Sequence, residues 1–166
     1  APAETSEPLR PEQKADIQIA MARSLERQGR TDEAKKMYLA AVKTAPQRAD
    51  AYHRLALLHD RNGECPAAAK YYEQALELDA ENADLHCDLG YNYYLRQQWE
   101  DAETHLRRAL ELAPDLGRAH NNLGLLLARA ALSAHLPPAG LLAPAVFEQD
   151  RKVAIDLLDL CGGERR

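Results

Sequence analysis

The sequence is short of the residues that build β-sheets and disulfide frameworks. Its 166 residues include one Trp, one Phe and three cysteines, and no CxxC motif occurs. Sparse β-branched residues beside abundant Ala and Leu predict an all-α fold. An odd, scattered set of cysteines does not predict a disulfide framework. It favours a reducing compartment such as the cytoplasm, although a processed exported or periplasmic form stays open.

An excess of basic charge is also missing. The formal net charge is -5 at pH 7, and the chain has no run of Lys and Arg. We therefore expect neither nucleic acid nor an anionic membrane surface as a partner. No apolar run approaches the roughly 20 residues that a membrane-crossing helix needs, so direct membrane insertion is not expected.

What the sequence does contain is a repeat of 34 residues. Small residues recur at three of its places, and a large residue recurs at a fourth. The four sets are Ala22, Ala56, Gly90 and Gly124; Ala34, Ala68 and Ala102; Tyr38, Tyr72 and Leu106; and Ala41, Ala75 and Ala109. Spacings of three and four within a unit are typical of a helix with one buried face. A helix pair of this size cannot bury that face alone, so the units must stack.

These sets, together with the breaks at Gly29 and Gly63, resemble the signature of the tetratricopeptide repeat (TPR) family. The resemblance implies antiparallel helix pairs that stack into a right-handed superhelix, with three full repeats and a partial fourth. We expect an extended or disordered lead-in and then the repeat array. The expected ranges are 1–10 for the lead-in, 11–131 for the array, and about 15–48, 49–82, 83–116 and 117–131 for its units.

The fourth unit departs from the repeat after its first helix. Pro137, Pro138 and Pro144 interrupt the place of its second helix, which predicts an irregular linker at residues 132–143. Residues 144–166 carry spaced apolar side chains, and we expect them to form a capping helix and tail that cover the apolar side of the fourth unit. Left uncovered, this end would be a surface for a homodimer.

The resemblance also implies that the first helix of each unit lines a concave groove with its second, fifth, ninth, twelfth and thirteenth residues. The candidate partner-binding residues are Asp50, His53, Leu57, Asp84, Cys87, Tyr91, Tyr94, Leu95, Arg118, Asn121 and Leu125. They indicate an acidic edge, a partly apolar floor and a basic edge, suited to a peptide or helix with hydrophobic anchors. The helix dipole also favours acids in a first turn and Arg in a last turn, so the two edges have a structural explanation as well.

We therefore expect a non-enzymatic scaffold that binds a protein or peptide in its groove, without a cofactor. One branch of the family binds the C-terminal carboxylate of chaperones through a clamp of Lys and Asn residues. The corresponding places here hold Ile19, Arg23, His53, Arg54 and Leu57, so the resemblance implies that this clamp is absent. The alternatives are a structural module that homo-oligomerises through its C-terminal end, or a repeat arm of a larger enzyme or transport machine.

A metal site is a further alternative. Asp50 and His53 are three residues apart, and Asp84 and Cys87 hold the same places in the next unit, which places four potential zinc ligands on neighbouring helices. Neighbouring helices lie about 10 Å apart, and each of these residues has an ordinary structural role, so the metal site is the less favoured interpretation. The histidines lie in no nucleophile or phosphate motif, and we expect no catalytic residue.

Overall fold

The computed structural model describes residues 8–135 as seven α-helices joined by short connections, with no strand among those residues. The helices are α1 (Pro11–Arg27), α2 (Thr31–Thr44), α3 (Ala49–Arg61), α4 (Cys65–Leu78), α5 (Ala83–Leu95), α6 (Trp99–Leu112) and α7 (Gly117–His135). The first residues of α3, α5 and α7 are 34 positions apart. In this part of the chain, no helix has the length and apolar character needed to cross a membrane.

The helices pack in sequential pairs. The most extensive contacts join α1 to α2, α3 to α4 and α5 to α6, and smaller contacts join each pair to the next. The last described helix, α7, packs against both α6 and α5. Buried side chains form clusters that each span three consecutive helices, so one core runs along the array.

The repeated large residue of the second helices is buried in α2, α4 and α6, but with two kinds of contact. In the first two units a tyrosine hydroxyl donates to a carboxylate of the paired helix, from Tyr38 to Glu26 at 3.3 Å and from Tyr72 to Asp60 at 2.9 Å. In the third unit the side chain of Leu106 packs directly on α5. It lies so close to the backbone of this helix that a Cβ added at Gly90 would be 2.8 Å from Leu106 Cγ.

The last helix is longer than the sequence predicts. α7 continues to His135, so the prediction that an irregular linker begins at residue 132 is wrong. Residues 130–134 contain neither Gly nor Pro, and the first residue that cannot continue a helix is Pro137. The rest of the predicted linker, the predicted capping helix and residues 1–7 of the lead-in lie outside the described residues.

The turn inside each complete unit contains a residue with left-handed backbone. Gly29 and Gly63 have φ of 75°, and Gln97 holds the same place in the third unit with φ of 61°. A left-handed conformation costs a residue with a Cβ about 1–2 kcal/mol, whereas glycine adopts it freely. The third unit therefore has a less favourable turn than the first two.

Replacement of Gln97 by glycine is expected to raise the free energy of unfolding by about 0.5–1 kcal/mol, since relief of this cost exceeds the extra backbone entropy that glycine loses on folding. Urea unfolding followed by circular dichroism measures the change. The matched variant is Gly63→Ala, because a Cβ at Gly63 meets nothing within 4 Å and only the backbone preference changes. Gly63→Ala should destabilise, and no gain for Gln97→Gly would contradict the expectation.

Candidate functional site

Aromatic side chains of the third unit form a cluster that reaches the fourth. The rings of Tyr91 and Tyr94 stack with centroids 6.0 Å apart, and Tyr94 meets Trp99 edge-on at 5.6 Å. The guanidinium of Arg129 on α7 lies 4.2 Å from the centre of the Trp99 ring. We call Tyr91, Tyr94, Trp99 and Arg129 the aromatic cluster. It joins α5 to α7 through Trp99, which is the first residue of α6.

Open apolar surface adjoins the aromatic cluster. Tyr91 is 39% exposed, Leu95 45% and Leu125 51%. Tyr91 and Leu95 are four residues apart on α5, and Leu125 and Arg129 are four apart on α7, so each pair lies on one helix face. Three predicted groove residues are therefore exposed: Tyr91 within the aromatic cluster, and Leu95 and Leu125 on the helices that carry it.

Trp99 was missed by the sequence analysis. The groove positions were all taken from first helices, and Trp99 begins a second helix. The residue type alone could have marked Trp99 as a candidate binding residue. It is the one Trp of the chain, and Trp is enriched at binding hot spots.

The carboxylates predicted as an acidic edge are paired with arginines. Asp50 accepts hydrogen bonds from Arg23 at 3.3 Å and from Arg48 at 3.1 Å, and Arg48 also bonds to Asp16. These contacts neutralise much of the charge that the row of aspartates would otherwise present. The acidic edge is therefore mainly a set of bonds between units, and a cationic partner finds little free negative charge there.

Arg118 and His53 both bind Asp88, which the sequence analysis did not include. Arg118 donates to Asp88 at 2.7 Å and also bonds to Asp84, while the His53 ring Nε2 lies 2.8 Å from the Asp88 carboxylate. Asp88 holds the sixth place of its unit, outside the predicted groove positions. This network joins α3, α5 and α7.

A second polar network lies beneath the surface at the junction of the second and third units. Asn92 is fully buried, and its Nδ2 donates to Asp60 at 2.6 Å and to the Cys65 carbonyl at 2.9 Å. Tyr72 donates to the second Asp60 oxygen. Burial raises the pKa of Asp60, and the hydrogen bonds from Asn92 and Tyr72 oppose that shift.

Asn92 was also missed by the sequence analysis, although a signal existed. It holds the tenth place of its unit, where the units before and after it have Leu58 and Leu126, both buried. An amide in a row of buried leucines predicts a buried polar contact, because an unpaired amide would be costly there.

The structure contradicts the assignment of Cys87 to the groove. Its side chain is fully buried, and Asn122 of α7 donates to its sulfur at 3.6 Å. Burial raises the pKa of this thiol. The fifth place of the third unit is covered because α7 packs on α5. Of the other predicted residues, Asn121 is exposed and Leu57 is half-buried against the core.

Asp50, His53, Asp84 and Cys87 do not converge as metal ligands. The two aspartates bind arginines, His53 binds Asp88, and Cys87 is buried beside Asn122. Within residues 8–135, no group of three or more His, Cys, Asp or Glu side chains is arranged to hold a metal ion.

Comparison with family models gives two matches of one kind. A tetratricopeptide repeat model matches residues 19–83, and a TPR repeat model matches residues 90–130. No curated protein sequence matches the chain significantly.

Solved structures with this fold come from several proteins. The first TPR of Spaghetti (RPAP3), bound to an HSP90 peptide, is 23% identical with a TM-score of 0.70, over 72% of this chain and 95% of that one. The first TPR domain of human RPAP3 is 22% identical with a TM-score of 0.68, over 76% of this chain and 99% of that one.

A Thermobaculum terrenum O-GlcNAc transferase mutant is 31% identical with a TM-score of 0.67, over 72% of this chain but 23% of the transferase. The predicted all-α repeat fold and the predicted family are both confirmed. The chain belongs to the tetratricopeptide repeat family.

Proposed function

We propose that this chain is a protein-interaction module that binds a peptide or an amphipathic helix over the aromatic cluster and the apolar residues beside it. The observation that carries the proposal is the exposure of Tyr91, Leu95 and Leu125 around that cluster. Covering one such side chain contributes about 1.5–3 kcal/mol at most, so three anchors contribute no more than about 9 kcal/mol before the entropy of association is subtracted. Micromolar binding corresponds to about −8 kcal/mol, so the ligand must also make polar contacts beside the apolar anchors.

The charges around the site favour an apolar ligand with some acidic character. The groove aspartates are already bound to arginines. On the opposite edge Arg27, Arg61 and Arg129 are exposed. Arg129 is held over Trp99, and a carboxylate next to an apolar anchor would find this cation in a fixed position.

Other members of the fold give limited support. The Spaghetti structure holds an HSP90 peptide, which illustrates that a TPR array can bind a peptide. At 23% identity that structure shares the fold with this chain. The place of a carboxylate clamp holds buried Ile19 and half-buried Leu57, so we propose anchoring through apolar side chains instead.

The proposal is tested with peptides selected from a random library on the wild-type protein. Trp99 is the one Trp of the chain and contacts Tyr94 and Arg129, so its fluorescence should report binding. The double variant Tyr91→Ala, Leu95→Ala is expected to weaken binding by about tenfold or more, as loss of two contact side chains commonly does.

Leu78→Ala is the matched control, because Leu78 is an exposed leucine on the second helix α4. It should leave the affinity unchanged. Selected peptides that bind wild type and the double variant equally, with no change in Trp99 emission, would remove the proposal.

A further inference from the structure

Two histidines of the third unit point at each other across the α5–α6 pair. The Nδ1 atoms of His86 on α5 and His105 on α6 lie 2.9 Å apart, and the ring centres are 5.1 Å apart. These two distances direct one nitrogen at the other, so the contact is a hydrogen bond as well as a ring contact. Two nitrogens this close share one hydrogen, because two N–H groups would repel and two lone pairs would make no bond.

A backbone carbonyl decides which of the two rings donates. Nε2 of His86 lies 3.1 Å from the carbonyl oxygen of Ala80. A carbonyl oxygen only accepts, so neutral His86 carries its hydrogen on Nε2 and its Nδ1 is an acceptor. His105 must then donate from Nδ1. Its Nε2 is the ring nitrogen of the pair that can take an added proton without breaking this bond.

We propose that His86 and His105 form a pH-sensitive latch, which holds α5 on α6 while the pair carries at most one added proton and opens when both rings are charged. The first proton joins His105 Nε2, and His105 still donates from Nδ1. The second proton must join His86 Nδ1, which is the acceptor of the bond. Two N–H donors and two positive charges would then face each other across 2.9 Å, so the rings must move apart.

Groups on three helices determine how easily His105 is charged. Burial and the neighbouring His86 on α5 disfavour the charged ring, while Asp101 on α6 and Glu73 on α4 favour it. Burial is the largest of these effects, and the pKa of His105 is lowered as a result.

Tyr93 connects the latch to the second unit. Its ring stacks on His105 with centroids 5.5 Å apart, and its hydroxyl donates to Glu73 of α4 at 3.0 Å. On the same ring, the guanidinium of Arg96 lies 5.4 Å from the centre. Burial raises the pKa of Tyr93 to about 12, so Tyr93 stays a neutral donor while the histidines titrate. Movement of His105 would therefore disturb a contact between units as well as one within a unit.

The other complete units have no titrating pair at these two places. The first unit has Gln18 and Met37 there, and the second has Tyr52 and Tyr71, which both pack against the buried core. The repeat therefore accepts tyrosine at both places. A protein in which the third unit carries the tyrosine pair of the second is the matched variant without the latch.

Acid should weaken the latch. The pKa of His105 in the folded protein lies below the unfolded value of about 6.5, because of burial and His86. The unfolded chain therefore binds more protons as the pH falls. The stabilisation is complete above about pH 6.5 and is lost as the pH falls from that value through the folded pKa.

NMR of the ring nitrogens of the wild-type protein tests the hydrogen positions directly. At pH 7.5 the hydrogen should be on Nε2 of His86 and on Nδ1 of His105. On acidification the pair should titrate in two steps at least about one pH unit apart, because the second charge is resisted by the first. Hydrogens on Nε2 of both rings, or independent titration of both near pH 6.5, would overturn the proposal.

Urea unfolding at pH 7.5 and pH 5 tests the effect on the fold. Each unit by which a pKa is lowered changes the unfolding equilibrium constant by about tenfold. The constant should therefore rise at least about tenfold more on acidification in wild type than in the double variant His86→Tyr, His105→Tyr. The control is His120→Tyr, because His120 holds the place of His86 in the fourth unit and lies 2.7 Å from the Pro114 carbonyl oxygen in the same way. This variant should keep the pH dependence of wild type.

Two stability results would contradict the latch. An equal rise in wild type and the double tyrosine variant would show that the histidine pair does not hold the helices together. Loss of the pH dependence in His120→Tyr alone would assign it to the fourth unit instead.

Discussion

Replacement of Gly90 by alanine is expected to lower the free energy of unfolding by about 1–3 kcal/mol, the usual cost of overpacking a close-packed core. The added methyl would lie 2.8 Å from Leu106 Cγ, 3.1 Å from its Cδ2 and 3.2 Å from the Ala102 carbonyl oxygen. Alanine is the better helix former by about 1 kcal/mol, but the steric overlap outweighs this gain because one contact is with backbone. Denaturant unfolding at pH 7 measures the change.

No small rearrangement can relieve the steric overlap between an alanine at position 90 and Leu106. Leu106 is fully buried and is bounded by the packed helices of the third unit, so a shift of its side chain displaces other core atoms. The first two units accommodate alanine at this place, at Ala22 and Ala56, because their buried partners Tyr38 and Tyr72 are directed to carboxylates. Glycine is needed at position 90 because Leu106 packs against it. The repeat itself allows alanine at this place.

A double-mutant cycle distinguishes steric overlap from a general effect on α5. In the Leu106→Ala background the two leucine contacts are absent and only the 3.2 Å contact with the Ala102 carbonyl oxygen remains, so Gly90→Ala should cost clearly less than in the wild-type background. Gly117→Ala serves as the surface control, because its Cβ has open space. If Gly90→Ala costs the same in both backgrounds, the contact with Leu106 is not its cause.

The parts of the fold that the sequence predicts are those encoded within one unit. The positions of Ala34, Ala68 and Ala102 follow from the requirement that paired helices approach closely, and each is fully buried. The predicted 34-residue period likewise matches the starts of α3, α5 and α7. Local spacing is sufficient here because the contacts join neighbouring helices of one repeat.

The features that the sequence misses depend on contacts between units. Asp88 is bound by His53 of the preceding unit and by Arg118 of the following one, and neither partner is visible from the place of Asp88 in its own repeat. Cys87 is buried because α7 packs over it. A repeat pattern predicts which side of a helix faces the groove. Whether a side chain on that side is exposed also depends on the size and charge of the residues on the next helix.

Replacement of Asn92 by alanine is expected to lower the free energy of unfolding by about 2–3 kcal/mol at neutral pH. The change removes hydrogen bonds to the Asp60 carboxylate and to the Cys65 carbonyl. Hydrogen bonds to a charged group contribute about 1.5–3 kcal/mol, and a buried acceptor left without a donor is costly. Tyr72 remains as a donor to Asp60, which limits the loss.

The loss of stability caused by Asn92→Ala should depend on pH, and the direction of this dependence follows from the pKa of Asp60. Burial raises the pKa of this carboxyl in the folded protein, and the bond from Asn92 lowers it. Loss of that bond raises the folded pKa further above the unfolded value of about 3.9. A raised acid pKa reduces stability as the pH rises from the unfolded pKa through the folded one. Asn92→Ala should therefore destabilise more at pH 7 than at pH 4.

Urea unfolding at the two pH values, repeated in an Asp60→Asn background, isolates this contribution. Without a titrating group at position 60, the pH-dependent part of the Asn92→Ala effect should disappear, while the part caused by the Cys65 carbonyl remains. Asn121→Ala, at an exposed asparagine of α7, should have little effect at either pH. An equal cost at pH 4 and pH 7 in the wild-type background would mean that Asn92 stabilises the junction by packing and neutral hydrogen bonding alone, without supporting the charge of Asp60.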